Sequence, residues 1–378
     1  MAVYKIFPEQ SATLYSEHTD MNTGRDEILE ISSYYRGSAS YITRALVKFD
    51  TVEITDVLDN LVAPDTGDAE NFSASLKLYL ASANEVPDRY NIQAYPVYVP
   101  THGTWVAGNG KYGDLPRNSS GVSWRYTQSS GSTGWTDVKP TYVTSSYSGS
   151  SIGGGAWYTN TLSLDFNMSQ SHTVVSTHDL DINVTEGVKA HYNGDINNAG
   201  YILKISGSGE LNAYSKSRQM YLRYFSHHTH TIYPPCLEIK WNDFVNNTTL
   251  SEVTDSNATI KIKNNRGEYT DEGRQRFQLH VRPKYPVRTF STSSNYLTNY
   301  YLPNTSYWGL RDENTEEMVI DFDTVFTKIS RASTGNYFDV YMAGLEPERY
   351  YRILIKTTIA GSTNIIDEDM VFKVVRNG

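Results

Sequence analysis

A chain of 378 residues is long enough for two or three domains with cores of their own. Its 33 Lys and Arg against 42 Asp and Glu leave a formal net charge of −9, which speaks against a nucleic-acid backbone as partner. With no apolar run of about 18 residues, no basic apolar leader and a single cysteine, the chain carries no signal for a membrane span, secretion or a disulfide framework. Thirty Tyr and 26 Gly among many Ser, Thr and Asn point instead to β-structure with hydroxyl-rich faces.

Period-2 alternation marks the first hundred residues. Ala45, Val47 and Phe49 share one face of a strand, and Leu76, Leu78 and Leu80 one face of another. Residues 101–160 change character, with Trp105, Trp124, Trp135 and Trp157 spaced among Gly and Ser runs such as Ser150-Ser-Ile-Gly-Gly-Gly155. This stretch reads as a long decorated loop region, and loops of that length are usually functional or clamped. The tryptophans admit two readings: plugs at the end of a sandwich, or a contact surface for sugar rings or neighbouring subunits.

Asp181–Ile205 joins two local structures in a fixed order. Val184, Val188 and His191-Tyr192 fall on one helical face, Thr185 is placed to cap it, and Asn193-Gly194 ends it. A buried strand, Gly200–Ile205, then follows. In His227-His-Thr-His230, a strand would turn His228 and His230 the same way. Such pairs from several chains could then hold a transition metal on a symmetry axis, although a polar strand edge is the favoured reading. Cys236, in the closing strand Tyr233–Trp241, is expected as a small buried side chain.

Residues 243–249 read as a linker, after which strands at 259–263, 276–281, 317–322, 337–341, 350–356 and 370–375 suggest a second sandwich. The cationic, proline-containing segment Arg282-Pro-Lys-Tyr-Pro-Val-Arg288 is too stiff for a central strand. It marks Arg282, Tyr285 and Arg288 as an arm or edge that meets a partner, with a solvated edge as the alternative. The usual phosphate, zinc and nucleophile-elbow motifs are absent, and the pairs Asp179/Asp181 and Asp321/Asp323 are ordinary strand acids. No enzyme activity, cofactor or metal is expected.

The run from Asn183-Val-Thr185 through Gly194 to Gly200-Tyr-Ile-Leu-Lys204 resembles the signature of DNRLRE-type, disaggregatase-related β-sandwich modules, with Tyr192 where that family has Trp. Ser11–Tyr15, Asn22–Glu30, Thr43–Asp50, Ser73–Tyr79, Asn91–Val97 and Tyr233–Trp241 resemble its other strands in order, over about residues 3–242. Trp105 and Trp124 match positions of that pattern that look structural, which leaves Trp135 and Trp157 as the contact candidates. Leu345-Glu-Pro-Glu-Arg-Tyr-Tyr351 resembles the tyrosine corner of immunoglobulin and fibronectin type III domains, with Tyr351 as the tyrosine. Met1–Glu9, Val281–Ser293 and Gly344–Tyr351 resemble virion structural proteins of contractile-tailed cyanobacterial phages. These resemblances imply an all-β chain: a jelly-roll-like sandwich over 1–242, then an immunoglobulin-like sandwich over 250–378. They imply a non-enzymatic virion component, made in a host cytoplasm, that contacts other particle proteins or further copies of itself. A carbohydrate-binding adhesion module is the alternative.

Overall fold

A computed structural model of the chain describes residues 2–37, 39–99, 103–114, 120–129, 134–135, 143–145, 153–161, 165–207, 210, 219–287 and 294–377. In chain order these supply β1 (Ala2–Ile6), β2 (Pro8–Tyr15), β3 (Ile28–Arg36), β4 (Ala39–Phe49), α1 (Thr51–Val57), α2 (Ala63–Thr66), β5 (Ser73–Leu78) and β6 (Leu80–Asn84). Next come β7 (Arg89–Pro96), β8 (Val143–Ser145), β9 (Ala156–Tyr158), β10 (Ser169–Thr173), β11 (Leu180–Asn183), α3 (Thr185–Tyr192), β12 (Tyr201–Ile205), β13 (Met220–Phe225) and β14 (Cys236–Trp241). The remaining strands are β15 (Ala258–Ile262), β16 (Glu268–Thr270), β17 (Arg274–Pro283), β18 (Ser306–Asp312), β19 (Met318–Ile320), β20 (Ser330–Ala332), β21 (Gly335–Tyr341), β22 (Arg349–Ile359), β23 (Ser362–Ile366) and β24 (Val371–Val375). Strand makes up 46% of the chain, so the protein is mostly β. It divides into two compact units, one of Ile6–Leu58 and Ser73–Glu238, the other of Met1–Lys5, Asp59–Phe72 and Ile239–Gly378.

The first unit is built on a curled antiparallel sheet of order β10-β7-β12-β4-β3-β13-β6, with β2 also joined to β4. In β13 the alternation is explicit: Met220, Leu222 and Tyr224 are buried, while Tyr221, Arg223 and Phe225 are half-buried. β5 pairs instead with β11, setting Leu78 opposite Leu180 and Leu76 opposite Ile182. Leu80 does not continue the Leu76 and Leu78 face, because the chain leaves that pairing at Tyr79 and β6 joins β13. The helix α3 forms as the spacing predicts, and Gly194 ends it at φ 74°. Its Thr185 is not the cap: the hydroxyl accepts the Ala74 N–H at 2.9 Å, while the Asn183 side chain accepts the Thr185 N–H.

The tryptophans of the excursion pack inside this unit with Leu14, Leu46, Val97 and Ile202. Arg44, fully buried, lies between two of them, 5.3 Å from the Trp124 ring and 5.1 Å from the Trp157 ring. Glu210 receives its guanidinium at 2.7 and 3.0 Å and takes the Lys204 ammonium at 3.0 Å. Gly153-Gly-Gly155 makes the approach possible. All three have positive φ, and a Cβ on Gly153 or Gly154 would stand within 2.7 Å of the Trp124 ring or its backbone.

In the second unit one sheet has the order β15-β17-β21-β20 and the other β16-β24-β22-β18-β19, with β23 paired to β22. Their inner faces share one core that holds Ile260, Phe277, Leu279, Phe338, Trp308, Leu310, Ile353 and Phe372, together with Val3. Rings interlock there: Trp308 stacks on Phe338 at 5.0 Å, and Phe277 meets both Phe338 and Phe372. The Tyr351 hydroxyl donates to the Glu346 carbonyl at 2.8 Å, the back-bond expected of a tyrosine corner. Residues 243–249 run beside β20, with Arg331 N–H donating to Val245 and Asn247 N–H to Arg331.

Candidate functional site

The first unit carries a cleft whose assembly begins at Asn22, 1% exposed. Its amide donates to the carbonyls of Ala107 and Val122, and its oxygen accepts the Gly110 N–H at 2.7 Å. The Thr23 hydroxyl ties the same turn to β2 through both the N–H and the carbonyl of Thr13. Gly24 has no Cβ to clash with the Ala107 carbonyl, which would lie 2.1 Å away. The clamp holds Tyr112 beside Asp26, where its N–H donates to both carboxylate oxygens at 3.0 and 3.2 Å.

The opposite wall follows from strand geometry. The period of two along β3 puts Glu30, Tyr34 and Arg36 on one face, and register sets Arg223 of β13 across from Glu30, with 3.2 Å between charges. Tyr221 stacks on Tyr34, centroids 5.4 Å apart and planes 22° apart. Tyr15 and Tyr112 form a second ring pair at 5.2 Å. With Glu17, Glu27, Ile28, Tyr35 and Lys111 these residues line a cleft of about 600 Å³, within the size of ordinary ligand sites.

Charges in the cleft are matched except at one place. Glu17 accepts the Tyr34 hydroxyl at 2.7 Å and pairs with Arg36 at 3.2 Å; Glu30 pairs with Arg223; Glu27 lies 3.7 Å from Lys111. Asp26 stands apart. Burial pushes its carboxyl up to about 6, against the opposing pull of the Tyr112 N–H and of Lys111. Burial, helped by Glu30 and Asp26, also raises the Tyr15 hydroxyl well above its ordinary value. Fixed acceptors, guanidinium donors and flat rings within one cleft suit a ligand with many hydroxyls.

Trp135 and Trp157, expected as a contact surface, are placed inside the core instead, 1% and 5% exposed. The Trp135 indole donates to the Ser123 carbonyl at 3.0 Å, and Trp157 packs on Arg44 and Tyr95, so neither ring is open to a sugar. His228 and His230 sit in the turn after β13 rather than in a strand, which removes the reason for their side chains to point together. His228 bonds the Gly24 carbonyl, and among the described residues no three His, Cys, Asp or Glu side chains are grouped to hold a metal. Neighbouring His227 meets Ser11 Oγ at 2.7 Å; burial, then the proximity of His228, lowers its imidazole to about 4. Asp179 accepts the Leu80 N–H, and Asp323 caps the turn at Val325 and Phe326, both local structural tasks.

Arg282 is not part of a free arm. It pairs with Thr259 within β17, and its guanidinium lies 4.8 Å from the Tyr296 ring. The exposed stretch starts after it, with Tyr285 74% and Val287 82% exposed; Arg288 lies outside the described residues. The cleft residues Asp26, Tyr34, Tyr112 and Tyr221 are missed by sequence reasoning, although the Asn22–Glu30 phrase that builds one wall was legible. No protein-family model matches the chain, and a search of the curated proteins finds no match either.

Proposed function

We propose that the chain is a non-enzymatic adhesion protein of a tailed-phage particle, whose cleft holds a polyhydroxylated chain such as a host-surface glycan. The cleft carries the proposal: five tyrosines and three salt-bridged carboxylates share about 600 Å³. The half-buried Tyr35 and Tyr221 and the exposed Tyr112 offer ring faces to sugar C–H groups, while each ion pair offers an acceptor and a donor to neighbouring hydroxyls. Glu17, Glu27 and Glu30, committed to Arg or Lys, serve as acceptors, which leaves Asp26 without a second free carboxylate for two-carboxylate glycoside hydrolysis and favours binding. The particle setting rests on the resemblance of the Met1–Glu9, Val281–Ser293 and Gly344–Tyr351 segments to virion structural proteins.

Strand order supports the finer reading of the fold. β15-β17-β21 against β19-β18-β22-β24 follows the A-B-E and C′-C-F-G order of fibronectin type III and immunoglobulin domains, with the tyrosine corner entering β22. The larger curled sheet of the first unit, with the β5–β11 pair beside it in sequence, fits a jelly-roll-like sandwich.

Binding to a glycan array by the whole chain tests the function. Tyr112→Ala, which removes a ring 56% exposed, is expected to lower affinity about tenfold with little change in melting temperature. A wild-type chain that binds no glycan overturns the reading. A second role, contact with neighbouring particle subunits, is favoured by the exposed Tyr285, Val287 and Leu297. Particles carrying Tyr285→Ser with Val287→Ser should then incorporate fewer copies by quantitative mass spectrometry, and an unchanged copy number rejects that role.

A further inference from the structure

Asp26 is the one carboxylate of the cleft lining that has no cation in ion-pair contact among the described residues. Glu17, Glu27 and Glu30 are each matched, to Arg36, Lys111 and Arg223. Lys111 acts on Asp26 as well, but its ammonium is shared with Glu27 at 3.7 Å. What Asp26 does have is geometry: two bonds from the Tyr112 N–H fix both its oxygens, and the Tyr15 and Tyr112 rings stand 5.2 Å apart alongside. The lining therefore holds four carboxylates and three cations, with the surplus negative charge at a carboxylate held by the Tyr112 backbone, and the Tyr112 ring stands 56% exposed in the same lining. Carboxylate and aromatic faces together are what a desolvated ammonium group needs, the first as counter-charge and the second as cation–π partner.

We infer that the ligand of this cleft bears a primary ammonium group, as an unacetylated amino sugar does, seated against Asp26 beside the exposed ring of Tyr112. The inference rests on the glycan reading and narrows it. Acetylation removes the charge and adds bulk where the carboxylate waits, so an N-acetylated sugar loses the contact. A uronic acid brings a second carboxylate to a wall already negative, and is disfavoured for the same reason. The groups facing Asp26 are the Tyr112 N–H, Lys111, Asp114, Glu27 and the Tyr15 hydroxyl; of the charged ones only Lys111 repels an ammonium, and Glu27 partly neutralises it.

Isothermal titration at pH 7 of the whole chain with glucosamine oligomers, their N-acetylated counterparts, glucose oligomers and uronic-acid oligomers of equal length tests it. The glucosamine oligomer is expected to bind about tenfold tighter than the acetylated one, the worth of one charge-assisted contact. Asp26→Asn, whose amide oxygen can still accept the Tyr112 N–H, should bring that ratio close to one; the ratio is the readout, not the absolute affinity. Equal binding of amino and acetylated oligomers, or a ratio that survives Asp26→Asn, overturns the inference while leaving glycan binding in place. If no oligomer binds, the glycan reading fails and this inference fails with it.

Discussion

Asp26 shows how a single carboxyl ties stability to pH. Its folded value, about 6, lies above the ordinary value of 3.8, so the folded chain holds this proton more tightly than the unfolded chain does. The sign follows: its contribution is fully present below the unfolded value and is lost as pH rises through 6. Asp26→Asn removes that loss, and its melting temperature should exceed the wild type's at pH 8, with the gain shrinking toward pH 4. A constant difference across that range in a pH series of thermal melts would falsify the assignment. Glu210 has the opposite sign. Burial pushes its carboxyl up, but Arg44 and Lys204 hold it below its ordinary value, so its pairing stabilises at neutral pH and is lost in acid. Neither residue stood out in the sequence, because a carboxyl is shifted by what the fold brings to it. The tryptophans teach the same lesson: Trp135 and Trp157 have the Gly- and Ser-rich surroundings of a display loop, yet their burial is decided by Arg44 and by Ser123.

Elements were legible where a local pattern had one interpretation. β12, β21, β22 and α3 lie close to their expected bounds, since apolar periodicity and a terminal glycine specify them without outside help. Others were hidden. β18 carries the core residues Trp308 and Leu310 but is interrupted by Gly309, where a Cβ would meet the Met318 side chain at 2.8 Å. β10 (Ser-Gln-Ser-His-Thr) is mostly polar, and β23 is almost wholly exposed, so neither shows an apolar face to read. The tyrosine corner is the clearest success at this scale, a seven-residue phrase that foretold one hydrogen bond. Tyr351→Phe keeps the ring in its core and deletes only that bond. It should cost about 1 kcal/mol in urea unfolding, and a change near zero would mean the turn at Glu346 is held by Arg349 and Asp312 instead.

At the scale of the whole molecule, chain order and spatial order part company. The unit formed by most of the last 140 or so residues also contains Met1–Lys5 and Asp59–Phe72. Val3 lies in its core, Lys5 Nζ donates to the Val319 carbonyl at 2.5 Å, and Asp65 takes the Trp241 indole at 2.9 Å. A fragment of residues 250–378 alone lacks all of these and should melt well below the corresponding transition of the full chain in calorimetry. An equal melting temperature would show those contacts to be dispensable.

This interleaving has a consequence for synthesis. As the chain leaves the ribosome, residues 6–238 emerge with everything that the first unit requires and can fold while translation continues. Residues 2–5 and 59–72 cannot: their partners, among them Val319, Tyr341 and Trp241, are still to be made. Residues made early are therefore placed late. A chain whose translation stops early leaves β1 and the Asp59–Phe72 segment without their partners, an open apolar and polar seam that proteases and chaperones can detect. Only a chain translated past Val319 and Tyr341 can close it, so a copy cut short before them is marked by its own unclosed seam.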